Sequence, residues 1–241
     1  MDTFRAFSAL HLAVVIAIVA VTLAAIAVRR RRGGDASAVG PIERAIALGY
    51  AALWAGTFVW LNSGPKHDPL TTWPLQLCHW VALADAIVLA APWRPLRAVA
   101  YFCGVALCTQ AIFTPSLVEG PAHWPFWFFW TTHAMIVSVP AYDIAARGFR
   151  PSWADWRVAC LVAIGYVALI LPIDLATGWN YGFVGPSTPD VPSIVDVLGP
   201  WPARLAIIIG IAFGAMSLLM LPWAAARRLF RRSREALPAR R

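Results

Sequence analysis

Long apolar segments, separated by short polar connections, fill the chain from near its N-terminus to about residue 224. An α-helix of about 20 apolar residues crosses the roughly 30 Å hydrocarbon core of a bilayer. The predicted spans are 8–28, 42–62, 74–92, 96–114, 124–145, 155–176 and 202–224. The first is followed by the arginines 29–32 and not by small cleavage-site residues, so we interpret it as a retained helix rather than a signal peptide. The pattern predicts an all-α fold, with a single seven-helix transmembrane domain over residues 1–226.

Composition supports a location in the membrane. Apolar residues make up 60% of the chain and charged residues 13%, whereas soluble domains contain about 25% charged residues. A soluble domain of this size leaves roughly a quarter to a third of its surface in water, so this composition excludes a soluble enzyme and also a disordered chain. The four cysteines show no C-x-x-C spacing. We therefore predict no disulfide scaffold, no metal site and no cofactor.

The basic residues orient the predicted bundle. Of the 20 lysines and arginines, 17 lie in or beside the segments 29–41, 92–96, 145–155 and 227–241. Because Lys and Arg are in excess on the cytoplasmic side of membrane proteins, we expect an outside N-terminus, a cytoplasmic C-terminus and a basic cytoplasmic tail at 227–241. The net charge of +8 is then explained by topology. We expect contacts with anionic phospholipid headgroups and no nucleic acid partner.

Polar side chains inside the predicted spans are concentrated toward the outer side. Such residues are costly in lipid and face a bundle interior or a wet cavity. The outer half holds Asn62, Gln76, Cys78, His79, Gln110 and Asp174, while Asp85 and His133 lie near the midplane. We therefore expect a cavity that opens to the outer face or outer leaflet, lined in part by Asn62 and His79. The external connection 177–201 brings Asn180 and Tyr181 to the same cavity; a lid and a plain linker both fit a loop of this length.

Cys78 and His133 are the predicted reactive pair. Cysteine is a strong nucleophile once a base activates it, and histidine is the usual base near neutral pH. Cys78 and Asp85 are seven residues apart, which places them on one face of the same helix. At 1.5 Å per residue, Cys78 lies about 6 Å and His133 about 14 Å below the outer boundary. Helix tilt or a deeper start of the third span must close this gap; otherwise His133 pairs with Asp85.

Four other polar residues are assigned supporting roles around this pair. Gln76 and Gln110 are predicted to donate hydrogen bonds to an oxyanion, a contact that is worth about 3–4 kcal/mol in known enzymes. Asp85 or Asp174 is predicted to orient the imidazole of His133. Together these residues would complete a site for nucleophilic catalysis in the outer half of the bundle.

The remaining cysteines are predicted to be packing residues, because free cysteine behaves as a small hydrophobic side chain in cores. They are Cys103, Cys108 and Cys160. A Cys78–Cys108 disulfide on the oxidising side is the less favoured alternative.

An ordered set of short motifs resembles a known family. The motifs are Trp73-Pro-Leu-Gln-Leu-Cys78, Thr109-Gln-Ala-Ile-Phe-Thr-Pro115, Thr132-His133, Asn180-Tyr181 and Leu198-Gly-Pro-Trp-Pro202. The set resembles the YwaF-type family of bacterial seven-helix integral membrane proteins. That family is distantly similar to eukaryotic membrane acyltransferases that remodel ether phospholipids and to androgen-induced-type lipid hydrolases. The resemblance implies an acyl-carrying role for Cys78, a base role for His133, and a multi-pass protein of the bacterial inner membrane.

The leading hypothesis is a lipid acyltransferase or lipid ester hydrolase with membrane lipid as its substrate. The first alternative is a small-molecule or proton-linked transporter, which usually requires broken helices and a path to both faces. The second is a membrane protein that binds lipid without turnover. Loss of function in Cys78→Ala is expected only of the enzyme.

Overall fold

The computed structural model describes residues 3–33, 35, 38–63, 72–186 and 194–227. Within these ranges the chain is helical, and the only extended pairing is an isolated bridge between Thr3 and Glu119. The long helices are α1 (Ala9–Arg32), α2 (Pro41–Asn62), α3 (Leu77–Ala90), α4 (Arg94–Phe113), α5 (Trp124–Ala145), α6 (Trp153–Thr177) and α7 (Ala203–Leu218). Short 3₁₀ helices lie at Tyr181–Phe183 and Ile194–Leu198.

Five of the described helices are long and apolar enough to cross a membrane. They are Ala9–Arg32, Pro41–Asn62, Arg94–Phe113, Trp153–Thr177 and Ala203–Arg227, the last including the turns that follow α7. The chain is therefore an all-helical, multi-pass membrane protein. The third and fifth predicted spans are also helices, but α3 has only 14 residues. At 1.5 Å per residue it is about 21 Å long, shorter than the roughly 30 Å core.

Helix α3 is the centre of the bundle. It packs against α2, α4 and α5, and its residues Val81, Ala82 and Val88 are fully buried. Around it, Phe102 of α4 and Ile136 of α5 are also fully buried in one continuous core. Half of the residues of α3 therefore pack in the core, while Trp80 and Ile87 remain exposed on its outer face.

Side chains from neighbouring elements complete both ends of the short helix α3. Before it, the Thr72 carbonyl accepts from the Asn62 side chain at 2.9 Å, and the Leu75 carbonyl accepts from the Tyr166 hydroxyl at 2.8 Å. In its last turn, the buried Arg147 donates to the carbonyls of Val88 and Leu89 at 2.7 and 2.8 Å. Non-helical backbone is tolerated at membrane depth where protein groups satisfy it in this way.

Helix α4 departs from the regular helix that its sequence predicts. Its middle section, Ala100–Cys108, is a π-helix between short α-helical sections. At its end the Thr109 N–H donates to the Gly104 carbonyl at 3.2 Å, five residues earlier. A Cβ atom on Gly104 would lie 3.2 Å from Val81 Cγ1 and 3.3 Å from the Ile136 carbonyl oxygen. The missing side chain lets α4 approach α3 and α5 closely.

Several arginines at the predicted cytoplasmic end are engaged by protein groups rather than left for lipid. Arg94 makes a two-pronged contact with Asp155 at 2.8 and 2.7 Å, and Arg97 makes one with Asp143 at 2.7 and 3.0 Å. Asp155 also forms the capping box of α6 with Ser152. Planar guanidinium groups suit such paired contacts with carboxylates. These arginines therefore also join α4 to α5 and α6, a role that the count of charges did not reveal.

The connection after α6 folds back onto the start of α3. Its described part ends at residue 186 and resumes with the 3₁₀ helix Ile194–Leu198. Arg204 of α7 donates to Asp196 at 2.5 Å and to the Gly185 carbonyl at 2.9 Å, which ties the two parts together. The predicted basic tail lies outside the described residues from residue 228 onward.

Candidate functional site

A thiol and an imidazole meet between α3, α4 and α5. Cys78 lies in the first turn of α3, and its thiol lies close enough to the His133 imidazole of α5 and the Cys108 thiol of α4 to interact with both. The Cys78 residue is half-buried, whereas His133 and Cys108 are 5% and 1% exposed. Cys78 therefore lies at the border of the packed interior that holds its two neighbours.

The backbone fixes which nitrogen of His133 carries the proton. Nδ1 lies 2.8 Å from the Phe129 carbonyl oxygen one turn earlier. A carbonyl only accepts hydrogen bonds, so in the neutral ring Nδ1 is protonated and Nε2 holds the lone pair. Nε2 is buried and has no hydrogen-bond partner among the described residues, so its approach to Cys78 is looser than a hydrogen bond. Such looseness is common at catalytic pairs before substrate binds.

The start of α3 differs from the predicted start of the third span. The helix begins at Leu77 rather than at residue 74, because residues 73–76 lead into it with non-helical backbone. Cys78 is therefore the second residue of the helix, and the packing of α3 against α5 sets its position relative to His133. His133 lies near the middle of the 22-residue helix α5.

Further polar side chains surround the pair. The Tyr50 hydroxyl donates to Thr132 Oγ1 at 3.2 Å, and Tyr50 and Tyr166 are each close enough to Cys78 to interact with it electrostatically. His79 packs between the rings of Phe58 and Phe128, and its Nδ1 is buried without a hydrogen-bond partner. The site is thus lined by aromatic and hydroxyl groups in addition to the predicted residues.

Asp85 lies deeper in the same interior. It is fully buried, and neither carboxyl oxygen has a hydrogen-bond partner among the described residues. It interacts electrostatically with Tyr50, Cys108 and Asp143. The orienting contact predicted for Asp85 or Asp174 is made instead by the Phe129 carbonyl, and the His133–Asp85 alternative is not formed.

A second group of predicted residues stabilises the connection after α6 rather than the thiol. Asp174 Oδ1 accepts from the Tyr181 N–H at 3.0 Å, and Asn180 Oδ1 accepts from the Gly185 N–H at 3.0 Å. Gln76 Oε1 accepts from the Gly182 N–H at 3.3 Å, and this bond connects the loop to the start of α3. Tyr181 itself is fully buried.

Two predicted residues turn away from the pair. Gln110 is exposed, and its Oε1 accepts from Thr114 Oγ1 at 3.2 Å. Asn62 is exposed and donates to the Phe58 and Thr72 carbonyls. The structure therefore does not gather all the polar residues into one outer cavity, because each of these bonds to nearby backbone or to its own helix.

Two cavities stand out among the described residues, and neither is lined by Cys78 or His133. One, of about 590 Å³, is an open depression beside the outer connection, bordered by Asp196, Trp201 and Arg204. The other, of about 320 Å³, is an apolar cleft between α1, α2 and α5. In the described part of the chain, no group of three or more His, Cys, Asp or Glu residues is arranged to hold a metal ion.

Cys108, Tyr50, Thr132 and Tyr166 are contacts of the site that sequence reasoning missed. Cys108 was interpreted as a packing residue because free cysteine behaves as a small hydrophobic side chain, with a Cys78–Cys108 disulfide as the less favoured alternative; both thiols are free in the structure. The tyrosines carry a usable signal, since a phenol inside an apolar span needs a hydrogen-bond partner. Here the partners are Thr132 and the Leu75 carbonyl.

These features define an all-helical integral membrane protein with a polar site enclosed in its bundle. The sequence model of the TMEM164 family matches residues 6–220, which is most of the chain. The chain therefore belongs to the TMEM164 family. No curated protein and no solved structure matches it significantly.

Proposed function

We propose that this membrane protein transfers or hydrolyses the acyl group of a membrane lipid, with Cys78 as nucleophile and His133 as base. The contact of the Cys78 thiol with the imidazole of His133 carries the proposal. The Phe129 carbonyl leaves the lone pair on Nε2, where a base needs it. The resemblance to YwaF-type and lipid-remodelling families supports the same roles.

The proposed reaction has two balanced steps. Cys78 Sγ attacks the carbonyl carbon of a lipid ester while its proton passes to Nε2 of His133. The carbon–oxygen bond breaks, and the departing alkoxide takes that proton, so that a thioester and a lysolipid remain. A second lipid hydroxyl, or water, then attacks the thioester, and His133 relays the proton back to the departing sulfur.

The start of α3 supplies a setting for the developing charge. First-turn N–H groups of a helix lack partners within the helix, and helix N-termini bind anions for this reason. Cys78 is the second residue of α3, so the oxyanion of the tetrahedral intermediate forms beside these donors. Gln76 precedes the helix and is proposed to add its side-chain amide, while Gln110 points away.

The decisive experiment detects the covalent intermediate. The purified protein is reconstituted with a phospholipid or an acyl-thiol donor and analysed by intact-mass and peptide mass spectrometry. We expect an acyl adduct on Cys78 that is absent from Cys78→Ala and retained in Cys108→Ala, the matched control for the neighbouring thiol. His133→Gln should slow adduct formation by about 10²–10⁴-fold, the usual contribution of a general base.

Other results would contradict the proposal. Turnover by Cys78→Ala, or an adduct found only on Cys108, would exclude Cys78 as nucleophile. Uptake of a solute by proteoliposomes that survives Cys78→Ser would favour the transporter. Bound lipid without turnover would favour a lipid-binding protein.

The topology and location of the chain are part of the same proposal. We propose seven crossings, an outside N-terminus and a cytoplasmic C-terminus in the bacterial inner membrane. With α3 and α5, the described part of the chain has seven long helices, one for each predicted span. The distribution of arginines supports the orientation.

A further inference from the structure

An apolar cleft between α1, α2 and α5 is separate from the thiol–imidazole pair. It has a volume of about 320 Å³, within the usual range for ligand pockets. Val21 and Ala25 of α1, Ile46 of α2, and Ala134 and Met135 of α5 form its walls. No function is assigned to it by the proposed catalysis.

The cleft lies on the opposite side of α5 from His133. Its α5 lining residues are Thr131, Ala134, Met135, Ser138, Val139 and Tyr142. At about 100° per residue, their mean direction differs from that of His133 by roughly 170°. The thickness of the helix therefore separates an occupant of the cleft from the sulfur of Cys78.

The hydroxyls of Thr22 and Ser138, which line the interior of the cleft, are both hydrogen-bonded. Thr22 Oγ1 donates to the Ile18 carbonyl at 2.7 Å and lies 2.6 Å from Ser138 Oγ. The two hydroxyls thus satisfy each other across α1 and α5. An apolar chain in the cleft would lie beside them without breaking a hydrogen bond.

The mouth of the cleft is positively charged. Arg29 and Arg32 border it at the end of α1. Glu43 also lines it, but its carboxylate accepts from the Tyr142 hydroxyl at 2.6 Å and the Gly40 N–H at 2.7 Å, and it lies 3.6 Å from Arg147. Glu43 is thus satisfied within the protein. Arg29 Nη2 donates to the carbonyls of Asp35 and Ala38 at 2.8 Å each, and these neutral acceptors leave its charge in place, so the two arginines attract an anion to the mouth.

The length of the cleft matches one leaflet. Its α1 wall runs from Val21 to Arg32, about 16 Å at 1.5 Å per residue. Half of the bilayer's hydrocarbon core is about 15 Å. We propose that the cleft binds one acyl chain of an anionic phospholipid from the leaflet at the arginine end, with the phosphate beside Arg29 and Arg32. This site is independent of the proposed function, because it lies across α5 from Cys78.

The direct test uses the unmodified protein. It is reconstituted in nanodiscs of phosphatidylglycerol and phosphatidylcholine, with a trace of phosphatidylglycerol that carries a photoreactive group in one acyl chain. We expect cross-links concentrated on the cleft-facing residues of α1 and α5. Cross-links spread over all lipid-facing helices would overturn the proposal.

Paired variants test the walls and the mouth. Ala25→Phe fills the cleft, whereas Ala24→Phe places the same ring about 100° away on the same helix, outside the lining. Arg32→Gln removes charge from the mouth, and Arg31→Gln removes it from the neighbouring position.

We expect Ala25→Phe to abolish the focused cross-linking and Ala24→Phe to preserve it. Arg32→Gln should reduce the preference for phosphatidylglycerol by about fivefold, the effect of roughly one basic residue near an anionic surface, and Arg31→Gln should not.

Each result decides one part of the proposal. Equal cross-linking in Ala25→Phe and Ala24→Phe would exclude the cleft as the binding site. Equal retention of phosphatidylcholine and phosphatidylglycerol by the parent protein would exclude the anionic headgroup. The acyl adduct on Cys78 is measured in parallel; its absence together with focused cross-linking would overturn the catalytic proposal alone.

Discussion

At the residue scale, Asp85 is a carboxyl group without a hydrogen-bond partner among the described residues. It is fully buried in α3, and neither of its oxygens is bonded there. Burying an unpartnered carboxyl group costs several kcal/mol of folding free energy. Asp143, by comparison, is 2% exposed and is held by both guanidinium contacts of Arg97. The same interior therefore holds one aspartate without a partner, Asp85, and one paired with an arginine, Asp143.

We expect the substitution Asp85→Asn to raise the melting temperature of the detergent-solubilised protein at neutral pH, because a carboxylate must be neutralised or buried with its charge, a cost that an uncharged amide does not carry. We expect Asp143→Asn to lower the free energy of unfolding by about 3 kcal/mol, because it leaves Arg97 without its carboxylate. Thermal melts of both variants and the parent protein test the prediction. Destabilisation by Asp85→Asn would show that the carboxyl group has a partner. Slower acyl-adduct formation in a stabilised Asp85→Asn would be expected if this residue is kept for function.

Only the rare reactive residues of the candidate site could be predicted from the sequence. Cys78 and His133 stand out because reactive groups are few in apolar spans. Which side chains they contact depends on the direction in which each residue points from its helix, and a sequence predicts that direction only for regular helices. The nine-residue π-helix that ends at Cys108 takes about one more residue per turn than an α-helix. The direction of Cys108, and then of Gln110, therefore departs from the prediction for a regular α-helix.

At the element scale, the approach of α4 to its neighbours depends on Gly104. A Cβ atom there would already lie 3.2 Å from Val81 and 3.3 Å from the Ile136 carbonyl oxygen. α4 carries Cys108 four residues later, α3 carries Cys78 and α5 carries His133. Close packing at Gly104 and the meeting of these three side chains are thus consequences of one three-helix contact.

We expect Gly104→Val to destabilise the protein by about 1–3 kcal/mol, the usual effect of overpacking a core, and to reduce acyl-adduct formation on Cys78. Gly49→Val is the matched control, because Gly49 is in the middle of α2 and has no atom within 4 Å of its Cβ position. Thermal melting and adduct mass spectrometry measure both effects. Equal losses in the two variants would mean that the three-helix contact has no special role.

At the scale of the whole molecule, the helix positions followed from hydropathy, but the way α3 fits in a membrane did not. A 14-residue helix cannot span the core alone. Asn62 and Arg147, which sequence reasoning assigned to a cavity and to topology, instead bond to backbone at its two ends. Gln76, just before the helix, accepts from the Gly182 N–H of the connection after α6. A polar residue in a span therefore indicates either a functional site or a backbone group that needs a side-chain hydrogen bond. Hydropathy cannot distinguish the two.

Topology mapping distinguishes seven crossings from the five that length and hydropathy alone identify. If α3 and α5 cross, the connection 114–123 lies outside; if only the five cross, it lies in the cytoplasm. Both arrangements place Ala38 inside and Val197 outside, so these positions are controls. We expect alkaline phosphatase inserted after Ser116 or Val197 to be active and after Ala38 inactive, because this reporter folds only outside the cytoplasm. Since α3 is enclosed by α2, α4 and α5 and its ends are bonded to protein, a crossing by this short helix needs little contact with lipid. An inactive reporter after Ser116, with both controls correct, would remove two crossings and place Cys78 on a helix that does not span the membrane.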